Sequence, residues 1–335
     1  MGRLNILFST TRQWNPGDEF ILFGIRRLLD SLGLEYNVII YNRHPSITPQ
    51  RYYRQFPWLR LMPVPHLDNS FALDQDGMVD YVIFAGTPEW FGGGRIKPLL
   101  QYILRNRIRC AFIGVGVHRH HTFSEDLIQV VTEFCDLIIA RDPLCYELIK
   151  DFPNSYYAPC PSLFAAPYAQ VRKTLNRLGI VIQSDKTRHH AVSPEVQSYI
   201  FSQCERLEQE FPVLYVAHYI DDYKLARTLG KEVLYSGYAE DYVQIYDQFD
   251  LIISTRVHGC GMASSLGIPN ALVPHDGRFQ TALKLKSQIL QAGLELTEWV
   301  RSVDISAESA ALVEYRKAQE EEFRQIMSKH LSILH

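Results

Sequence analysis

The sequence predicts an α/β protein made of two Rossmann-like domains that face each other across a cleft. Short apolar runs alternate with longer amphipathic stretches along the chain, the pattern of parallel sheets flanked by helices. The alternation breaks once, around 151–176, where Pro153, Pro159, Pro161 and Pro167 crowd together. The 335 residues exceed what one compact core ordinarily supports. The expected division is an N-terminal domain over 1–165, a C-terminal domain over 175–300 and a closing helix within 301–335.

In chain order, Asn5–Ser9 is the first expected strand, followed by a helix from near Gly17 to near Gly33. Tyr36–Tyr41 is the second strand. A Pro- and aromatic-rich stretch over 44–70 has no period and reads as an irregular insertion or lid. Strands return at Tyr81–Ala85, Cys110–Val115 and Leu137–Ala140. Beyond the Pro-rich linker, strands are expected at Leu178–Gln183, Val213–Ala217, Glu232–Tyr235, Leu251–Ser254 and Ala271–Pro274. A long, charged amphipathic helix is expected over 306–333.

Composition excludes several classes. With 47% hydrophobic and 21% charged residues and a net charge of −3, nothing marks a general affinity for nucleic acid or acidic membranes. The six cysteines, at 110, 135, 145, 160, 204 and 260, form no C-x-x-C pair, and three sit in or beside apolar runs, as reduced thiols do. The apolar run at the N-terminus is too short for a signal peptide, and no stretch approaches the roughly 20 apolar residues that span a bilayer. A cytoplasmic enzyme is the expectation.

Open parallel sheets bind ligands beyond the carboxyl ends of their strands, so the residues that follow each strand carry the functional reading. In Leu251-Ile-Ile-Ser-Thr-Arg-Val-His-Gly259 an apolar strand ends at Ser254. A helix then starts near Val257 or His258, ends at Gly267 and cannot continue past Pro269. Arg256 and His258 thereby fall at a helix N-terminus, which favours anions. An Arg fork suits phosphate or carboxylate, and a His titrates near neutral pH. Gly259 and the small residues after it let the helix lie close to the sheet or to a ligand.

Two further junctions follow the same logic. Trp14-Asn15-Pro16-Gly17-Asp18-Glu19 comes after the first strand, where capping and a cleft-facing role explain Asp18 equally well. Cys110 to His121 runs from a strand through Gly114 and Gly116 into a loop bearing His118, Arg119, His120 and His121. It lacks the third glycine of a dinucleotide fingerprint, and its histidines lack metal-ligand spacing or a carboxylate partner, so no metal is expected. His118 and Arg119 suit contacts with an anion or a sugar, as against a solvated loop. Arg141 also directly follows a strand. Its neighbours Asp142 and Pro143 read as N-cap and first helical residue, whereas Arg141 has no capping role.

Taken together, these segments resemble the polysaccharide pyruvyl transferase family. Asn15-Pro-Gly-Asp18 looks like its N-terminal Asn-x-Gly-Asp element, and Ala140-Arg-Asp-Pro-Leu-Cys145 like its strand-Arg-Asp/Glu element. Ser254 to Pro269 looks like its Ser-x-Arg-hydrophobic-His-Gly element and small-residue helix. The resemblance runs in order from about residue 5 to 290. It departs from the family at Pro159-Cys160-Pro161, where an acid is usual, in Ala85 to Gly94, where glycines are more frequent, and at His118.

The resemblance implies a fold similar to the GT-B glycosyltransferases. It also implies transfer of a pyruvyl group from phosphoenolpyruvate to two hydroxyls of a sugar in a cell-surface polysaccharide or its precursor, giving a cyclic ketal and phosphate. It puts Arg256 and His258 in the active site as catalytic residues and makes Arg141, with Arg256, donor-binding. The strand-end chemistry adds Asp18 as a catalytic residue, or Glu89 in its place, to orient or deprotonate the acceptor; Ser254 and Gly259 at the donor; and Asn15, Glu89 and His118 at the acceptor. No cofactor is implied beyond phosphoenolpyruvate as donor substrate. The expected partners are that donor and a sugar or lipid-linked oligosaccharide, the latter compatible with peripheral membrane contact. The long C-terminal helix offers a surface either for packing back on the domains or for a homo-oligomer. Two rival readings share the scaffold: a GT-B glycosyltransferase using a nucleotide sugar, recognised by nucleotide release, and a non-catalytic carbohydrate- or anion-binding relative, recognised by binding without turnover.

Overall fold

The computed structural model describes residues 3–11, 16–43, 73, 77–88, 90, 96–117, 123–184, 192–291 and 293–331. The expected irregular segment over 44–70 lies outside these residues. The chain divides into two compact units, one of Met1–Pro161 with Glu322–His335, the other of Ser162–Glu321. The division falls inside the Pro-rich segment. The closing helix is divided between the two units, its residues from Glu322 onward grouping with the first.

Among the described residues the first unit holds one sheet of six parallel strands: β1 (Leu4–Thr10), β2 (Tyr36–Asn42), β3 (Tyr81–Ala85), β4 (Arg109–Val115), β5 (Cys135–Ala140) and β6 (Ser155–Tyr157), in the order β2-β1-β3-β4-β5-β6. Helices α1 (Pro16–Ser31), α2 (Ile96–Asn106), α3 (Glu125–Phe134) and α4 (Pro143–Ile149) join them. The expected strands are present, most of them one or two residues longer than their apolar runs, because pairing continues onto polar residues such as Thr10 and Asn42. β6 was not expected. Its three half-buried residues carry no apolar signal, and its identity comes from backbone pairing with β5. On one face of the sheet Val82, Phe84, Phe112 and Ile138 pack with Trp90, Leu99, Ile103 and Leu127. Phe84 and Phe112 stack with centroids 4.1 Å apart.

The second unit repeats the plan with β7 (Leu178–Ile182), β8 (Val213–Ala217), β9 (Val233–Leu234), β10 (Leu251–Ser254), β11 (Asn270–Leu272) and β12 (Gln288–Ile289), ordered β12-β11-β10-β7-β8-β9 and all parallel. β12 is a two-residue edge strand without a sequence signal of its own. The helices are α5 (Pro194–Glu210), α6 (Ile220–Thr228), α7 (Tyr242–Asp247), α8 (Val257–Ser265), α9 (Phe279–Leu283), α10 (Leu296–Ser302) and α11 (Ile305–His330). Ile180, Ile182, Leu251 and Ile253 pack with Ile200 and Leu207 of α5 and Trp299 and Val300 of α10. Local chemistry sets several helix starts: Ser124 caps α3, Ser193 with Pro194 opens α5, and Asp142 with Pro143 opens α4, as expected for that pair.

Each sheet has one point where successive connections reverse direction, and ligands gather there in doubly wound folds. In the first unit it lies between β1 and β3, and in the second between β7 and β10. Both sheets are thus Rossmann-like. Among the described residues no helix is long and apolar enough to cross a membrane.

Candidate active site

In the second unit, β10 delivers its carboxyl end to that reversal point and α8 begins at once. Arg256 occupies the N-cap position and His258 lies in the first turn, as the sequence predicted. Gly267 closes the helix with a φ of 78°. Ser254 shapes the turn: its Oγ accepts from the Arg256 N–H at 2.9 Å and donates to the Arg256 carbonyl at 2.7 Å. Gly259 lets α8 lie on the strand, since a β-carbon there would collide with Ser254 Oγ and crowd the Tyr246 hydroxyl. Its own N–H donates to the Arg256 carbonyl. The Ser254 hydroxyl and the Gly259 N–H, both residues expected to meet the donor, are thus bonded within the turn that carries Arg256 and His258. His258 itself is half-buried.

The structure adds a partner that the strand-end reading missed. Asp222, in the first turn of α6 and fully buried, takes Arg256 Nε at 3.1 Å and Nη2 at 2.9 and 2.7 Å. The backbone N–H groups of Ser184 and Tyr219 also donate to this carboxylate, at 2.8 and 3.1 Å. All of these partners are donors with no lone pair to take a carboxyl proton, the arrangement an ionised carboxylate fits. Burial is the largest influence and leaves the Asp222 carboxyl above the ordinary carboxylate value, against the opposing pull of Arg256 and the two N–H groups. The guanidinium lies 4.2 Å from the centroid of the Tyr219 ring. The signal was present: His218-Tyr-Ile-Asp-Asp222 follows an apolar strand just as Arg256 does.

His218, at the end of β8, is buried and shares a 2.8 Å hydrogen bond between its Nε2 and the Tyr246 hydroxyl. Burial holds its imidazole well below the usual histidine range, and the Arg256 charge adds to this. Burial likewise lowers His275, whose Nε2 lies 3.2 Å from Gln183 Oε1. A histidine with a depressed folded pKa binds fewer protons than in the unfolded chain, so stability is full above the unfolded value near 6.5 and falls as pH drops through it. The second unit is therefore expected to lose thermal stability between pH 7 and 5, and His218→Gln to flatten that loss. A melting temperature with the same pH slope in wild type and variant would refute the assignment.

In the first unit, Asp18 sits in the first turn of α1 rather than at its cap. Its Oδ2 is 3.5 Å from Arg43 Nη2, and Arg43 also donates to the carbonyl oxygens of Thr87 and Ala85. The helix position of Asp18 does not fit the cap reading, and its partner at the strand end is Arg43. Arg43 is a residue that sequence reasoning passed over, although it directly follows β2 just as Arg141 follows β5.

Arg141 Nη2 donates to Thr87 Oγ1 at 3.2 Å, Nη1 is 4.0 Å from Cys160 Sγ, and Nε is buried with no partner among the described residues. Asp142 is engaged elsewhere: its oxygens accept from the N–H groups of Cys145 at 2.7 Å and Val117 at 3.1 Å. Burial opposes the Arg141 charge, while Cys160, Asp142 and Asp18 hold its pKa above the ordinary arginine value. A permanent cation with an unmet donor at a strand end suits an anion. The structure thus brings Asp18, Arg43, Thr87 and Arg141 into one neighbourhood. Asn15, Glu89 and His118, read as acceptor residues, lie outside the described residues. Among those described, no group of three or more His, Cys, Asp or Glu is placed to hold a metal.

A family model described as "Polysaccharide pyruvyl transferase" matches residues 15–277. No curated protein matches the sequence. Solved structures share the fold at low identity. A UDP-GlcNAc 2-epimerase from Neisseria meningitidis bound to UDP-GlcNAc is 11% identical with a TM-score of 0.56, covering 97% of this chain and 100% of that one. A UDP-N-acetylglucosamine 2-epimerase from Rickettsia bellii is 11% identical with a TM-score of 0.54, covering 99% and 98%. The glycosyltransferase SnogD from Streptomyces nogalater is 12% identical with a TM-score of 0.53, covering 97% and 99%. These likenesses place the fold in the two-Rossmann-domain class typified by GT-B enzymes.

Proposed function

The chain belongs to the polysaccharide pyruvyl transferase family, and from that premise we propose that it moves a pyruvyl group from phosphoenolpyruvate to two hydroxyls of a sugar, forming a cyclic ketal and releasing phosphate. The observation that carries the reading is Arg256 and His258 at the start of α8, beyond the reversal point of the second sheet. Phosphoenolpyruvate bears a phosphate and a carboxylate, which an arginine fork and a helix N-terminus both favour.

In this reading His258 protonates the methylene carbon of the donor, leaving an oxocarbenium-like centre at C2 that a sugar hydroxyl attacks as it gives up its proton. Departure of phosphate regenerates that centre. A neighbouring hydroxyl then closes the ketal and releases the second proton. Arg256 binds the anionic donor through this sequence, and His258 is the group that gives and recovers a proton. Asp18 orients an acceptor hydroxyl, with Asn15, Glu89 and His118 as further acceptor contacts. No metal is needed where guanidinium groups meet the donor's charge. The acceptor is a saccharide on a polysaccharide precursor, either lipid-linked or nucleotide-linked.

The test is phosphate release from phosphoenolpyruvate across lipid-linked and nucleotide-linked sugars, with the ketal identified by mass. Nucleotide release from a nucleotide sugar, with no use of phosphoenolpyruvate, would replace this reading with glycosyl transfer. Arg141 is assigned to the donor as well. Arg141→Ala is expected to raise the KM for phosphoenolpyruvate by about 10- to 100-fold, the scale of one lost charged hydrogen bond of about 1.5–3 kcal/mol, with a smaller change in kcat. An unchanged KM would remove Arg141 from donor binding.

A further inference from the structure

We propose that Asp222 is a positioning residue for the transfer reaction: it acts through Arg256, fixing the plane and the outward edge of the guanidinium that receives the donor's anion. The inference rests on the function proposed above and adds a residue that the strand-end motif does not contain.

A carboxylate offers about four acceptor sites. Here four N–H-bearing groups fill them: Ser184 N and Tyr219 N from the backbone, and Nε and Nη2 of Arg256. The two backbone bonds tie the carboxylate to the loop after β7 and to the turn that opens α6, so it cannot rotate to follow the arginine. The arginine must conform to it. Nε and Nη2 are held along one edge, and the Tyr219 ring covers one face at 4.2 Å. Nη1 is the terminus that Asp222 does not engage.

A second consequence concerns charge. Arg256 and Asp222 together are neutral and buried, with side-chain exposures of 8% and 0%. Arg256 therefore presents directed donors rather than a mobile surplus charge, as a preorganised site requires. An asparagine at 222 would keep the shape, but its amide nitrogen would face one of the four donors and release the guanidinium from its fixed plane.

The experiment compares Asp222→Asn, Arg256→Ala and the double variant in steady-state turnover of phosphoenolpyruvate, with Asp222→Glu as a charge-preserving control for folding. Asp222→Asn is expected to lower kcat/KM by about 10²-fold, the scale of a reacting contact misplaced by an ångström, mainly through a higher KM for phosphoenolpyruvate. In the Arg256→Ala background the same change should alter kcat/KM less than about threefold, because the two residues act as one unit. Asp222→Glu should fold and lose activity comparably, since the extra methylene displaces the carboxylate.

In parallel, the Arg256 Nε–H resonance, identified by its loss in Arg256→Ala, should be sharp in the wild type and broadened or shifted in Asp222→Asn. Effects that multiply in the double variant, an unchanged kcat/KM in Asp222→Asn, or an unmoved Nε–H resonance would each overturn the proposal. If the wild type does not turn over phosphoenolpyruvate at all, the functional reading fails instead, and the resonance alone decides whether Asp222 holds Arg256.

Discussion

His258→Ala is expected to lower kcat for phosphate release from phosphoenolpyruvate by about 10²–10⁴-fold, the range for loss of a positioned general acid or base. The side chain is half-buried in the first turn of α8. A melting temperature measured alongside separates lost chemistry from lost fold. The donor should still bind, because Arg256 keeps its place on Asp222. The loss should thus fall on kcat rather than on KM, and the acid or base limb that His258 contributes to the pH–rate profile should vanish. Turnover within about threefold of wild type would remove His258 from proton transfer. Intact turnover together with a raised KM would make it a binding residue instead.

Gly24→Ala is expected to be the most destabilising small substitution in the first unit. Alanine normally improves a helix interior by about 0.5–1 kcal/mol relative to glycine, and Gly24 lies in the middle of α1. Here the sign reverses. A β-carbon would be driven into the carbonyl oxygen of Pro161, a backbone atom that cannot rotate away. Overpacking of this kind costs about 1–3 kcal/mol, and more where backbone must move. A net loss of about 2–3 kcal/mol corresponds to a fall of roughly 5–10 °C in the melting transition of a unit this size. Differential scanning calorimetry would resolve it as a shift of one unit's transition. A melting temperature at or above wild type would mean that α1 and Pro161 do not approach this closely.

Much of the architecture was legible because it is periodic. The first five strands of the first unit, and β7, β8, β10 and β11 of the second, each carry an apolar run that sequence alone reveals. The start of α8 was legible for a different reason. Arg256 and His258 follow an apolar strand and precede a run of small residues closed by Gly267 and Pro269, an arrangement that packing alone does not demand. Asp142 and Pro143 likewise declared a cap that the structure contains. β6, β9 and β12 carried weaker signals, being two or three residues long and defined by the strands they pair with.

The sequence by itself determined the α/β class, the existence of two domains and the strand ends at which Arg141, Arg256 and His258 stand, because these follow from local periodicity and from turn and cap chemistry. Only the tertiary structure decided what those side chains touch. Asp222 lies 34 residues from Arg256, and Arg43 lies 25 residues from Asp18 and 44 from Thr87. No local pattern encodes such pairings. Burial supplies the physical reason that they matter: once a guanidinium leaves water it must find its acceptors in the fold, and the strand order of each sheet sets which acceptors are within reach.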